Sequence, residues 1–323
     1  METIYLNNMQ VQAVLSVPEC IGVIEIVFKN LHLSQMPPKI YLDIPDGDFR
    51  AMPAIFDKTA GIKWCGVQLD TTKQKRKINI FAKVLINDVD SGKLLAIMDG
   101  EAITAIRTAA VTGVATDYMA KKDAKVAAFI GCGNQTKYQV EAILAVRDIE
   151  KLHLFDLDSK RCEYIGSQFD IEYEAFEDVE SCIRDADIVT TLTPSRTPFI
   201  KHAWLKDVVH INAIGADAEG KRELAPCVLD NVDVVVFDNW EQCSHSGEVQ
   251  YRPEKLDPYS KGHKKQEWTD LGDIVHSEKD LSGYNQTIFD ATGLAIEDVA
   301  TARYIYQKLI TRPITENAEY ETF

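Results

Sequence analysis

The spacing of apolar and polar positions changes character about a third of the way along the chain. Residues 11–33 carry apolar side chains at helical intervals, and short runs at 39–42 and 79–86 have strand character. That mixture predicts an α+β unit. From about residue 124 brief apolar runs alternate with helical stretches: VAAFI at 126–130, a glycine turn, a helical segment at 138–147, then LHLF at 152–155. DIVTTL at 187–192, VVHINAI at 208–214 and VDVVVFD at 232–238 continue the series. Such alternation predicts an α/β fold, with parallel strands joined by crossover helices. A last helical pattern, 294–309, follows an FDATG turn and lines up Ala295, Val299, Ala302 and Ile305, so it is expected to pack back on the first unit. The expected domains are therefore 1–115 plus 300–323, and 116–299.

Length and composition fit this division. A chain of 323 residues suits two ordinary cores, and 46% hydrophobic with 26% charged residues is globular rather than disordered. The net charge of −15 sets the surface against nucleic acid and anionic membranes. Met1-Glu2-Thr3 begins no basic, apolar leader, and no apolar run is long enough to span a bilayer, so a cytoplasmic location is expected. The seven cysteines are scattered and never spaced CxxC, which indicates neither a disulfide framework nor a zinc site; no metal is expected. The basic run TTKQKRK at 71–77 reads as a solvated loop in preference to a phosphate contact.

Chemistry enters first at Gly131-Cys132-Gly133-Asn134-Gln135-Thr136, between an apolar strand and a helical pattern. Gly131 and Gly133 permit a tight turn and let a pyrophosphate approach backbone N–H groups at a helix N-terminus. Thr136 stands where the usual fingerprint has a third glycine, and an ordinary tight turn is the alternative. Asp156 closes the LHLF run, where a carboxylate accepts both ribose hydroxyls and repels a 2′-phosphate, favouring NAD over NADP. Arg50, Lys63 and Arg107 interrupt otherwise apolar or small-residue runs, and Asp217 follows an apolar strand at the sheet's carboxyl edge. Structural ion pairs would account for each cation singly. Together they supply what amino-acid redox chemistry needs: cations for an α-carboxylate, a lysine whose pKa neighbours can lower, and a carboxylate for the amine.

The blocks MPPKIYL (36–42), GDFRAMPA (47–54), AGIKW (60–64), FIGCG (129–133), INAIGAD (211–217) and FDATGLAIEDVA (289–300) resemble the ornithine cyclodeaminase/mu-crystallin family over nearly the whole chain, most of all its archaeal-type alanine dehydrogenase branch. The resemblance implies a Rossmann-type doubly wound domain inserted into a smaller α+β domain that binds substrate and forms a homodimer. It implies Lys63 as proton donor and acceptor, Asp217 beside it at the substrate nitrogen, and Lys39 and Arg50 holding the substrate. Arg107 and Thr108 are implied where substrate and cofactor phosphates meet, and Gln135, Asp156, Lys221 and Thr292 near the dinucleotide. Two departures stand out: the polar, basic segment 67–77 replaces a glycine- and proline-containing loop, and Lys39 and Arg50 occupy a segment where cyclodeaminases carry an arginine and a glutamate.

The expected activity is reversible oxidative deamination of a small amino acid, alanine to pyruvate and ammonia, through an imine. The alternatives are cyclisation of ornithine to proline with recycled NAD, reduction of an imine or ketimine, and an inactive NAD(P)H-binding protein. A cation at 50 disfavours a second substrate amino group.

Overall fold

The computed structural model describes residues 2–70, 77–251 and 266–311. The basic run at 71–77 lies, apart from Lys77, outside the described residues. The chain forms two compact units, Met1–Thr108 with Leu294–Phe323, and Ala109–Gly293.

The first unit is a six-stranded sheet: β1 (Ile4–Leu6), β2 (Ile40–Ile44), β3 (Gly47–Phe56), β4 (Thr59–Asp70), β5 (Lys77–Asp88) and β6 (Leu94–Asp99), in the order β1-β6-β5-β4-β3-β2. Four antiparallel pairs run from β2 to β6, and β1 joins parallel to β6. Side chains alternate between the faces of a sheet, and the register decides which residues share one. Arg50 pairs with Cys65, Met52 with Lys63, Lys63 with Val84, and Val84 with Met98, so these residues point the same way. Helices Val17–Lys29 and Ala295–Thr311 pack together, and the second of them lies against β3, β4, β5 and β6. Met52, Ala54, Cys65, Val84, Ile86, Ala96 and Met98 are buried on that face.

The amphipathic stretch 11–33 is not one helix. Asn8–Val14 and Val17–Lys29 are separate, each opened by a capping box, at Asn7/Gln10 and Ser16/Glu19, and a 3-10 turn Leu31–Leu33 follows. Ser16 ends one periodic run and begins the next because its side chain satisfies an N–H group that the new helix leaves open.

The second unit is a wholly parallel eight-stranded sheet: β7 (Val126–Ile130), β8 (Lys151–Phe155), β9 (Glu172–Ala175), β10 (Ile188–Thr191), β11 (Val209–Ala213), β12 (Val234–Phe237), β13 (Glu267–Asp270) and β14 (Gln286–Asp290). The order is β13-β12-β14-β11-β10-β7-β8-β9. Apolar clusters cover both faces, one around Phe129, Val140, Leu152 and Ile165, the other around Ile130, Val189, Ile211 and Ile288. Burial on both faces is why the central strands read as continuous apolar runs. This is the Rossmann-type doubly wound arrangement, with the winding reversing between β7 and β10, where ligands bind outside the strand carboxyl ends.

Arg147 anchors this unit. Its guanidinium donates to the carbonyls of Thr116 (2.7 Å), Asp117 (3.0 Å), Ala120 (2.9 Å) and Lys121 (2.9 Å) at the end of helix Gly100–Met119, and pairs with Asp117 Oδ1 at 2.7 Å. A helix C-terminus exposes unpaired carbonyls with partial negative charge, and a buried cation answers both.

Candidate active site

In the first unit Lys63 is 3% exposed. Its Nζ forms an ion pair with Asp298 Oδ2 at 2.7 Å and donates to Thr104 Oγ1 at 3.4 Å. Asp298 Oδ1 accepts from Arg107 Nε at 3.0 Å, and Glu297 Oε2 accepts from Arg107 Nη1 at 2.6 Å. Two cations and two carboxylates thus form one buried group of zero net charge. Burial lowers the Lys63 pKa below the ordinary lysine value and Arg107 adds to this, while Asp298 opposes it. Burial works against ionising Asp298, but Arg107 and Lys63 outweigh it and hold the carboxyl below its usual range. Arg107 is desolvated too, yet Asp298 and Glu297 keep it firmly protonated.

The approach of helix Ala295–Thr311 depends on Gly61, which precedes Lys63 on the same face. A Cβ at Gly61 would lie 2.8 Å from the Leu85 carbonyl oxygen and 2.9 Å from Val299 Cγ2, so any larger residue would push the helix off the strand.

Arg50 lies on the same face but is already engaged. It pairs with Asp48 through Nε to Oδ1 at 2.6 Å and Nη2 to Oδ2 at 3.1 Å, and stands 5.4 Å from the Tyr41 ring centroid. The structural ion pair that the sequence left open for Arg50 is present, as a bidentate pair with Asp48. Lys39 immediately precedes β2 and is half-buried, and Thr108 follows Arg107 in the helix Gly100–Met119.

In the second unit the candidate cofactor residues gather at the carboxyl edge of the parallel sheet. Gly131 follows β7 with φ of 98°, a left-handed conformation that favours glycine. A Cβ there would come within 3.1 Å of Thr193 Cγ2 and 3.2 Å of the Leu192 carbonyl oxygen, atoms at the exit of β10. Gly133 faces open space, with nothing within 4 Å of a built Cβ. Gly133 and Asn134 are exposed, and Gln135 N-caps the helix Thr136–Val146 without a side-chain cap bond. Asp156 Oδ2 accepts from the Cys132 N–H at 2.8 Å and Oδ1 from the Asp158 N–H at 2.9 Å. Thr136 takes part in the turn through its hydroxyl, which donates to the Gly131 carbonyl at 2.7 Å.

Asp217 follows β11 and is ion-paired with Lys221, one helical turn's spacing away in sequence. Thr292 follows β14, its N–H donating to Asp238 Oδ2 at 2.7 Å and its hydroxyl accepting from Gln242 Nε2 at 2.5 Å. Three buried acids fix this edge. Glu223 accepts from the Thr193 N–H (2.7 Å), the Thr193 hydroxyl (2.7 Å) and the Gly215 N–H (3.0 Å). Glu248 accepts from the N–H groups of Glu223 (2.7 Å) and Leu224 (3.0 Å), and Asp290 from that of Val249 (3.3 Å).

The structure thus joins Lys63 to Arg107, Asp217 to Lys221, and Gly131, Cys132 and Asp156 to one another. Sequence reasoning missed Glu297, Asp298, Glu223 and Glu248. The signal for the first two was an acid pair inside FDATGLAIEDVA, a run otherwise bound for a core.

The profile of the ornithine cyclodeaminase/mu-crystallin family matches residues 1–312. The chain belongs to that family. An alanine dehydrogenase of Archaeoglobus fulgidus is 35% identical over 99% of each chain. A Δ1-pyrroline-2-carboxylate reductase of Bacillus cereus is 32% identical over 83% of this chain and 84% of its own. The solved structure of an archaeal alanine dehydrogenase dimer with bound NAD superposes with a TM-score of 0.87 at 36% identity, covering 96% of this chain and 97% of the other. Among the described residues no single helix is long and apolar enough to cross a membrane, and no group of three His, Cys, Asp or Glu side chains is arranged to hold a metal ion.

Proposed function

We propose that this chain is an NAD-dependent amino-acid oxidoreductase that interconverts a small L-amino acid, alanine in the first instance, with its 2-oxo acid and ammonia. The observation that carries the proposal is a lysine, Lys63, buried with a lowered pKa beside Arg107. A primary amine whose pKa is lowered gives up and takes a proton more readily than an ordinary lysine, and the arginine beside it is of the type that recognises a carboxylate. The similarity to alanine dehydrogenases over the full length of both chains supports the substrate class.

The second unit suits the dinucleotide. Gly133 and the uncapped start of helix Thr136–Val146 leave room and N–H groups for a pyrophosphate, and Gly131 occupies the position where the turn must be left-handed. Asn134, Gln135 and Thr292 are assigned to the cofactor's surroundings with Thr108 and Lys221, and Asp156 to the ribose, which selects NAD over NADP. Bound there, NAD supplies the hydride acceptor. This chain's residues do the rest. Arg107, Arg50 and Lys39 orient the α-carboxylate, Lys63 takes the proton from the ammonium, and Asp217 exchanges protons at the substrate nitrogen. Water then attacks the imine and ammonia leaves.

A homodimer belongs to the same proposal. Ile40, Leu42, Phe49, Trp64 and Phe81 share the sheet face opposite Lys63 and are 39–69% exposed. Phe49 and Trp64 stack at 5.6 Å. A monomer rarely exposes so many neighbouring large apolar side chains, and a second copy of the chain is the proposed cover.

The test is NADH absorbance when the protein and NAD meet a panel of amino acids. Net NADH with alanine is expected. Proline formed from ornithine without net NADH, or oxidation of proline alone, would replace this reading with a cyclodeaminase or an imine reductase. Lys63→Ala should lose turnover and keep NAD affinity; undiminished turnover removes Lys63 from the mechanism.

A further inference from the structure

Asp298 touches both cations of the first unit's site, yet nothing in the proposed reaction uses it. Its two oxygens are divided between them, Oδ2 to Lys63 at 2.7 Å and Oδ1 to Arg107 at 3.0 Å, and the residue is fully buried. Glu297, adjacent in the first turn of helix Ala295–Thr311, takes a separate nitrogen of Arg107 at 2.6 Å. The two acids therefore have distinct duties. Glu297 compensates the arginine, whereas Asp298 ties arginine and lysine together.

We propose that Asp298 is a positioning residue that holds the Lys63 ammonium and the Arg107 guanidinium in one fixed geometry and gives the buried amine its counter-ion. The inference rests on the reading of Lys63 as the proton-exchanging group. A buried amine with no counter-ion sheds its proton, and one paired only to a carboxylate holds it too tightly to pass on. Asp298 is shared, so Arg107 draws off part of its charge, and Lys63 stays between those extremes. Thr104 Oγ1 accepts a second, longer hydrogen bond from Nζ, at 3.4 Å.

The charged and titratable groups around Lys63 are few. Asp298 acts on it from helix Ala295–Thr311, Arg107 from helix Gly100–Met119 and Cys65 from its own strand. Behind these, Glu297 pairs with Arg107, Arg50 and Asp48 on β3 act on Cys65, and Cys20 on helix Val17–Lys29 meets the field of Glu297, Arg107 and Asp298. Burial keeps the Cys65 thiol protonated and pushes that of Cys20 up to about 12, so neither competes for the lysine's proton. Among the described residues Asp298 is the group in ion-pair contact with Lys63.

The experiment is an NMR titration of the full-length protein carrying 13Cε-lysine, with Lys63 assigned by Lys63→Met. Asp298→Asn keeps the shape and removes the charge. The Lys63 midpoint should fall by at least about one pH unit, a tenfold loss of proton affinity. Glu297→Gln should move it by less than half as much. In alanine turnover the limb of the kcat/KM profile that follows Lys63 should shift to lower pH with it, and kcat should fall more than KM rises. An unmoved Lys63 midpoint in Asp298→Asn, or an equal displacement in Glu297→Gln, overturns the proposal. Should Asp298→Asn fail to fold, 13Cγ-aspartate in the unaltered protein decides the matter. One aspartate signal should step at the Lys63 midpoint and lose that step in Lys63→Met; absence of such a signal overturns the proposal. The NMR readout needs no substrate, so an inert amino-acid panel would count against the proposed reaction and not against the role of Asp298.

Discussion

Asp298 in the first unit and Asp290 in the second are both completely buried, and their surroundings drive them to opposite protonation states. Asp298 lies between Lys63 and Arg107, which overcome its desolvation and keep it ionised. Asp290 is desolvated among other acids, Asp238 and Glu223, with only the backbone N–H groups of Glu248 and Val249 in its favour, and its pKa is pushed up to about 8. Burial likewise raises Glu223 and, well above the usual value, Glu248. The charged group of the first unit is the one to which the proposed reaction assigns proton transfer through an amine. The acids of the second hold backbone in place at the strand exits around Gly215, Thr193 and Leu224. A buried carboxyl is therefore an instrument of chemistry or of architecture according to its partners alone.

The comparison breaks most visibly at Arg107. Arg107→Leu removes the cation that Glu297 and Asp298 share, and breaking a buried pair in this way costs about 3–5 kcal/mol. Urea denaturation measures it; a loss below about 1 kcal/mol would show that the cluster relaxes on its own. Glu223→Gln tests the architectural acids. Glu223 accepts at both oxygens, so an amide must turn its NH2 group toward a donor, and about 1–3 kcal/mol of stability should go with the lost bonds. Unchanged stability would mean that these bonds hold nothing.

Asp290→Asn should have the smallest effect at neutrality, and its sign changes with conditions. Oδ1 of Asp290 has no hydrogen-bond partner among the described residues, so the amide can take that place without losing a bond. The folded carboxyl titrates at about 8 and an unfolded one near 4. Between those values the folded state binds more protons, so stability falls as pH rises through that window. The Tm of the unaltered protein should decline from pH 5 to pH 8.5 more steeply than that of Asp290→Asn. Parallel declines would place the titration elsewhere.

Much of this was legible from residues that break a local pattern. Arg50, Lys63 and Arg107 stand out as cations in apolar runs, and Gly131 and Gly133 as a turn between a strand and a helix. The central strands β7, β8, β10, β11 and β12 were visible as largely apolar runs. The central strand β14 (QTIFD) was not, because its buried positions include Gln286, Thr287 and Asp290 and its end reads as a turn. The edge strands β9 (EYEA) and β13 (EWTD) were not either, because an edge needs no continuous apolar run. Glu297 and Asp298 were hidden for a different reason. Acids in the first turn of a helix are the ordinary complement to its dipole, and only the packing of that helix against β4 turns them into counter-ions. The pairing of Arg50 with Asp48 was equally silent, since residues two apart on a strand share a face but need not touch.

Gly61 carries these interactions one step further. It meets neither the lysine's nitrogen nor the arginine, yet its missing methyl group sets how deeply helix Ala295–Thr311 settles on β4. The strength of the Lys63–Asp298 pair is thereby tied to a distance between backbones, a quantity that substitutions throughout the sheet and the helix can adjust by small steps. The protein can thus retune the basicity of its central amine without altering any residue that a substrate would touch.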